Sequence, residues 1–116
     1  MSNFARLGTW PDQPPKPNQL IAVIRSIAAE TKDIVLLNHA EQRMYERNID
    51  MHDILTVLKI GEIDGLIKSG QGDQEWKCKV TAPPNLDETY REIGIVVVTV
   101  RTSRLLIVTV EWEDKI

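Results

Sequence analysis

Three residues in "VLLNHAEQRMYERNID", positions 35–50, could do chemistry together: His39, Arg43 and Arg47 recur every four residues. On a helix that step stacks side chains along one face. An imidazole and two guanidiniums then stand in a row. Imidazole carries protons near neutral pH, and guanidinium grips phosphate in a bidentate way. The chemistry on offer is phosphate recognition with proton transfer beside it. A plainer use of the same residues is a solvated face of ion pairs, because Glu46 and Asp50 lie three residues beyond the two arginines. Two like charges four apart cost a helix about 0.2–0.5 kcal/mol, so either use must offset that repulsion.

The elements that position this ladder follow from the pattern around it. On a helical wheel Ala40 and Met44 form the buried stripe, Gln42 and Glu46 point to water, and the ladder falls on the rim between them. Upstream, Asn18 is a plausible N-cap, and Leu20, Val23, Ile24, Ile27 and Ala28 give an amphipathic helix to about Thr31. "DIVLLN" then reads as a short strand. Downstream, Asp50 caps a third helix, Asp53 adds a carboxylate to its first turn, and Ile49 can staple onto Ile54. Ile54, Leu55 and Leu58 supply its buried stripe, Lys59 suits the last turn, and Gly61 suits a left-handed stop.

Beyond Gly61 the period changes to two. "EIDGLIKS", "EWKCKVT", "EIGIVVVTV" and "RLLIVTVEW" read as strands, joined at "GQGDQ", "APPNLDET" and the short hairpin loop "RTSR". The order α, β, α, α, β, β, β, β predicts an α+β domain, with a twisted antiparallel sheet and helices on one face. With Thr102 and Ser103 at the hairpin tip, Val96, Val98, Val100, Leu105 and Ile107 share one face, the natural core face. Ile95, Val97, Leu106, Val108 and Val110 share the other. The second face is nearly as apolar, so a cover is expected there: the N-terminal helix, a dimer mate or a partner protein.

At 116 residues, with 42% apolar and 27% charged residues, the chain suits one folded domain. Residues 1–17 read as an irregular arm, since the opening stretch holds four of the six prolines, and 18–116 form the domain. Phe4 or Trp10 could dock that arm. No segment joins a basic region to an apolar one as a secretory signal does, and the lone Cys78 has no partner in the chain, so a cytoplasmic protein is expected. The longest apolar runs, near Ile93–Val100 and Leu105–Val110, are too short to span a bilayer. Net charge is −3 with a pI near 5.4, which disfavours generic binding to free nucleic acid but leaves room for a local basic groove.

"HAEQRMYERNI" followed by "DILTVLKIGEI" resembles the signature H-A-x-x-R-M-x-x-R-x-I…I-x-x-V-L-x-x-G-x-I. It is that of a bacterial domain family of unknown function, often encoded beside small zinc-finger antitoxin-like proteins. The family is similar in fold to the RelE and BrnT toxins of the barnase–EndoU–colicin–RelE superfamily. The resemblance spans about Ile34 to Trp112, and the later strands fit the family's closing strands. It implies a RelE-like fold carrying an extra N-terminal helix. It also implies a small endoribonuclease, an mRNA interferase acting on RNA, on the ribosome in some relatives, and restrained by an antitoxin. The motif histidine and arginines fall on His39, Arg43 and Arg47, and the polar position of the closing strand falls on Thr109. Lys77 and Lys79 share one strand face and, with Arg101, would add substrate-binding cations. The rival that the resemblance allows is a catalytically inactive RelE-like module that binds protein, because fold does not fix function.

Metal-free RNA cleavage needs a base for the 2′-hydroxyl proton, cations for the pentavalent phosphate and an acid for the leaving oxygen. Only one motif histidine is present, and Arg91, Arg101, Tyr90 or Lys77 stay open for the second proton. His52 reads as a surface residue at a helix start, Cys78 as a buried structural thiol, and Trp76 and Trp112 as core aromatics. Two histidines and one cysteine without ligand spacing argue against zinc, and no P-loop or dinucleotide fingerprint is present, so no cofactor or metal is expected.

Overall fold

Proline opens the first helix, α1 (Pro17–Ala28), where its missing N–H costs nothing and its φ is already helical. The computed structural model describes residues 14–83 and 91–114. The expectations for Phe4, Trp10, most of the arm, Tyr90 and most of "APPNLDET" lie outside the described residues. Lys16 precedes α1, and its N–H donates to the Gln19 side chain at 3.1 Å. Asn18 therefore lies inside the helix instead of capping it. Leu20, Ile21, Val23, Ile24, Ile27 and Ala28 are buried. The helix stops at Ala28, and Thr31–Asp33 forms a separate 3-10 turn.

The chain enters β1 (Ile34–Leu36) and passes straight into α2 (Asn38–Arg47). Asn48 ends α2 in the left-handed conformation, φ 55°, which asparagine tolerates better than most residues. The Ile49 N–H then donates to the Met44 carbonyl at 2.9 Å, closing the helix. Asp50 caps α3 (Met51–Ile60) as expected, in a reciprocal box. The Asp53 N–H donates to Asp50 at 2.8 Å, and the Asp50 N–H donates to Asp53 at 3.1 Å. Ile54, Val57 and Leu58 form the buried stripe, with Leu55 only half-buried, because the face turned to the sheet is rotated by part of a turn. Gly61 is extended, φ −73°, not left-handed. Its need for glycine is spatial: a Cβ would lie 2.5 Å from the Val57 carbonyl oxygen and 2.7 Å from Val80 Cγ1. Arg25 of α1 ties to this junction, donating to the Gly61 carbonyl and to Glu62, both at 2.9 Å.

Four strands, β2 (Glu62–Ser69), β3 (Glu75–Ala82), β4 (Arg91–Val100) and β5 (Arg104–Asp114), pair antiparallel in sequence order. The first strand breaks the all-antiparallel expectation. β1 joins the far edge parallel to β5, giving a mixed five-stranded sheet in the order β1-β5-β4-β3-β2. Antiparallel pairing is forced only between strands joined by tight turns, and two helices separate β1 from β2. The helices lie on one side of the sheet, packed on Val80, Ile93, Ile95, Val97, Leu105, Ile107 and Val110.

The faces of the last hairpin also differ from expectation. Its turn takes three residues, Arg101–Ser103, so Val100 faces Arg104, and Val97 faces Ile107. Val108 is then unmatched, since Val96 faces Thr109. Ile95, Val97 and Val110 therefore belong to the core with Leu105 and Ile107. Val96 and Val98 turn with Leu106 to the open face. The N-terminal helix packs with α3 on the core side and does not cover that open face.

Leu58 is fully buried at the centre of this packing. Leu58→Ala should lower unfolding free energy by about 2–5 kcal/mol in a denaturant titration. A loss below about 0.5 kcal/mol is the size of a surface effect and would contradict the packing.

Candidate functional site

Ala40 is fully buried and Met44 half-buried against the core, so α2 turns its other faces outward. Both ends are tied to β5. The Leu37 N–H donates to the Ile107 carbonyl at 3.1 Å, and the Trp112 indole N–H donates to the Arg47 carbonyl at 2.9 Å. A guanidinium, that of Arg91, stacks 4.0 Å from the Trp112 ring centroid.

His39 is exposed, and Arg43 and Arg47 keep 35% of their side-chain surface. The two arginines converge on a single oxygen. Glu46 Oε1 lies 2.6 Å from Arg43 Nη1 and 3.6 Å from Arg47 Nη1. Arg43 Nε also donates to His39 Nε2 at 3.4 Å, a long contact that uses the lone pair a general base needs. Gln42 donates to the other Glu46 oxygen at 3.1 Å. The hydrogen bond from Arg43, then that from Gln42, holds the Glu46 carboxyl below the usual glutamate range. Asp50, the other expected partner, is engaged in capping α3. Chemically, α2 presents a two-guanidinium clamp on an oxyanion, with an imidazole beside it.

The remaining expected site residues lie elsewhere. Lys77, Lys79 and Thr109 stand on the open face, since their register partners Val98 and Val96 face away from the helices. No hydrogen bond or ion pair joins the ladder to Lys77, Lys79 or Thr109 among the described residues. Lys79 is neutralised locally, hydrogen-bonded to Glu113 and 3.7 Å from Asp64, and the Glu113 carboxylate raises its pKa. Arg101 sits in the β4–β5 turn with φ 55°. Of the open options for a second proton carrier, Arg91 is on the helix side near the end of the ladder. A guanidinium keeps its proton in proteins, so Arg91 adds charge there and not a proton.

Glu46 as the shared acceptor and the Arg91–Trp112 stack were not read from the sequence. The i,i+3 spacing signalled the first, but the second joins residues that only strand pairing brings together. Trp76 and Cys78 face the core as expected, and His52 is exposed. Burial pushes the Cys78 thiol up to about 12, unsuited to a nucleophile. Among the described residues no three His, Cys, Asp or Glu side chains cluster as metal ligands do, and no helix is long and apolar enough to cross a membrane. No family model, curated protein or solved structure matches the chain.

Two measurements check this geometry. Cys78 should resist a disulfide-exchange reagent in the folded protein at mildly alkaline pH and react at once in denaturant; rapid native reaction would place the thiol at the surface. Glu46 has a lowered folded pKa, so its ion pairs stabilise above the unfolded value and are lost as pH falls through the folded one. The stability gap between wild type and Glu46→Gln should therefore close on acidification from neutrality, read by thermal unfolding. A gap independent of pH would mean that Glu46 is unpaired.

Proposed function

We propose that the chain is a small endoribonuclease of the mRNA-interferase type, acting on RNA in the cytoplasm and restrained by a partner antitoxin. The observation that carries the reading is the meeting of Arg43 and Arg47 on one carboxylate oxygen beside His39. Glu46 Oε1 marks a point where a phosphate oxygen could be gripped in its place, because carboxylate and phosphate offer guanidinium the same acceptors. In this reading Arg43 turns from His39 Nε2 to the phosphate, the freed nitrogen takes the proton of the 2′-hydroxyl, and the 2′-oxygen attacks phosphorus. The arginines hold the charge of the pentavalent phosphate, the bond to the 5′-oxygen breaks, and that oxygen takes a proton from solvent. Lys77, Lys79 and Thr109 are given no step, since they stand on the other face of the sheet. The acidic chain, pI near 5.4, fits weak binding to naked RNA and hence a need for the ribosome or low salt.

A second reading, an inactive protein-binding relative, draws on the same contact: Glu46 already supplies the two arginines with an anion, as in a structural ion pair.

Expression of the chain alone separates the two. Under the nuclease reading it arrests growth with loss of RNA. His39→Ala removes general base catalysis, worth about 10²- to 10⁴-fold, and relieves the arrest while the exposed site leaves folding unchanged. Arg43→Lys relieves it in part, since lysine keeps charge but loses the fork. If the wild type is harmless and RNA survives in a ribosome-supplemented cleavage assay, the ladder is structural and the second reading holds.

A further inference from the structure

One cross-strand row of the open face runs through the whole sheet: Lys68 faces Lys77, Lys77 faces Val98, Val98 faces Leu106, and Leu106 faces Val35. The row divides sharply into a basic half and an aliphatic half. A groove of about 360 Å³ lies along it, lined by Leu37, Val98, Leu106, Val108 and Lys77 and closed by the turn at residues 69–71. Val35 and Leu37 extend its apolar side while 39% and 37% exposed.

Among the described residues, the charges in this row are unanswered. Lys68 and Lys77 stand directly opposite each other, an arrangement that is destabilising unless an anion offsets it. Neither has an ion pair or hydrogen bond among the described residues. Two positions along the same strand, Lys79 has both Glu113 and Asp64. The one carboxylate among the described residues of the groove, Glu75, accepts instead from the Gly72 N–H at 3.1 Å.

We propose that this face docks an acidic amphipathic segment of a partner protein, with aliphatic side chains in the groove and carboxylates on Lys68 and Lys77. The inference goes beyond the nuclease reading and holds whether or not the ladder cleaves RNA, because it uses the opposite face. Single-stranded RNA fits less well, since no described residue lining the groove is aromatic to give bases a stacking platform. A second copy also fits less well, because among the described residues the groove offers only Glu75, already bound to the Gly72 N–H, to answer Lys68 and Lys77 of the other copy.

The test is a titration of the isotope-labelled full chain, followed by amide chemical shifts. The probes are two synthetic amphipathic peptides with one leucine pattern, bearing glutamates or lysines on the polar side, and a single-stranded oligouridylate. The glutamate peptide should shift Val98, Leu106 and Val108 and bind at least about tenfold more tightly than the lysine peptide. Lys68→Glu combined with Lys77→Glu should invert that order. Both lysines are exposed, so thermal unfolding should be unchanged; should the double variant unfold, Lys77→Gln alone must weaken the glutamate peptide. Equal affinity for the two peptides, or shifts confined to other residues, overturns the proposal. So does stronger binding of the oligouridylate at the same residues, or self-association that Leu106→Asp abolishes.

Discussion

A single extra residue in β5 governs which way every side chain near both surfaces points. Val108 has no opposite number on β4, and the alternation of β5 resets there. Before it, Leu105 and Ile107 face the helices; after it, Val110 and Trp112 do. Unbroken alternation would turn Thr109 and Glu111 into the core, where an unpaired hydroxyl and carboxylate would be costly. The bulge coincides with the end of β1, where the Leu37 N–H bonds to the Ile107 carbonyl and α2 begins. The start of the ladder helix and the phase of the strand beneath it are thus set at one point.

The ends of α2 show how backbone contacts place exposed side chains. Ala40 admits the helix close to β5, and Trp112 holds its last turn through the Arg47 carbonyl. Glu46 lies within reach of both arginines on the helix so placed. This cluster is open to solvent, so its worth to stability is limited by screening. Its geometry bears more on what it can bind than on how firmly the helix is held. Arg91 brings a third guanidinium to the same side, held over Trp112.

Chemistry-bearing residues are divided between two surfaces by the sheet. The ladder lies on the helix side, and the lysine row and aliphatic groove lie on the other. A segment seated in the groove would therefore leave Arg43 and Arg47 accessible. A groove-bound partner that also blocks the ladder directly must reach around an edge of the sheet, such as that formed by β1. Lys77 and Lys79, alike in type and face, differ in exposure and in whether a carboxylate stands within reach.

Local signals in the sequence were strong where the physics is local. The element order, the Asp50 cap, the ladder on the rim and the buried Ala40, Ile54 and Leu58 all follow from spacing and capping chemistry. The start of α1 lies two residues earlier than an Asn18 cap implies, because proline suits the first helical position and Lys16 takes the cap. Gly61 marks a helix boundary in the sequence, but its reason is the approach of Val57 and Val80, which no local pattern contains. Tertiary structure alone decided the parallel seat of β1, the three-residue turn at Arg101 and the unmatched Val108. Those choices depend on pairing between residues far apart in the chain. Shifting a strand by one residue exchanges its faces, so they decided which valines are core and which stay open, and on which side Lys77, Lys79 and Thr109 stand relative to His39.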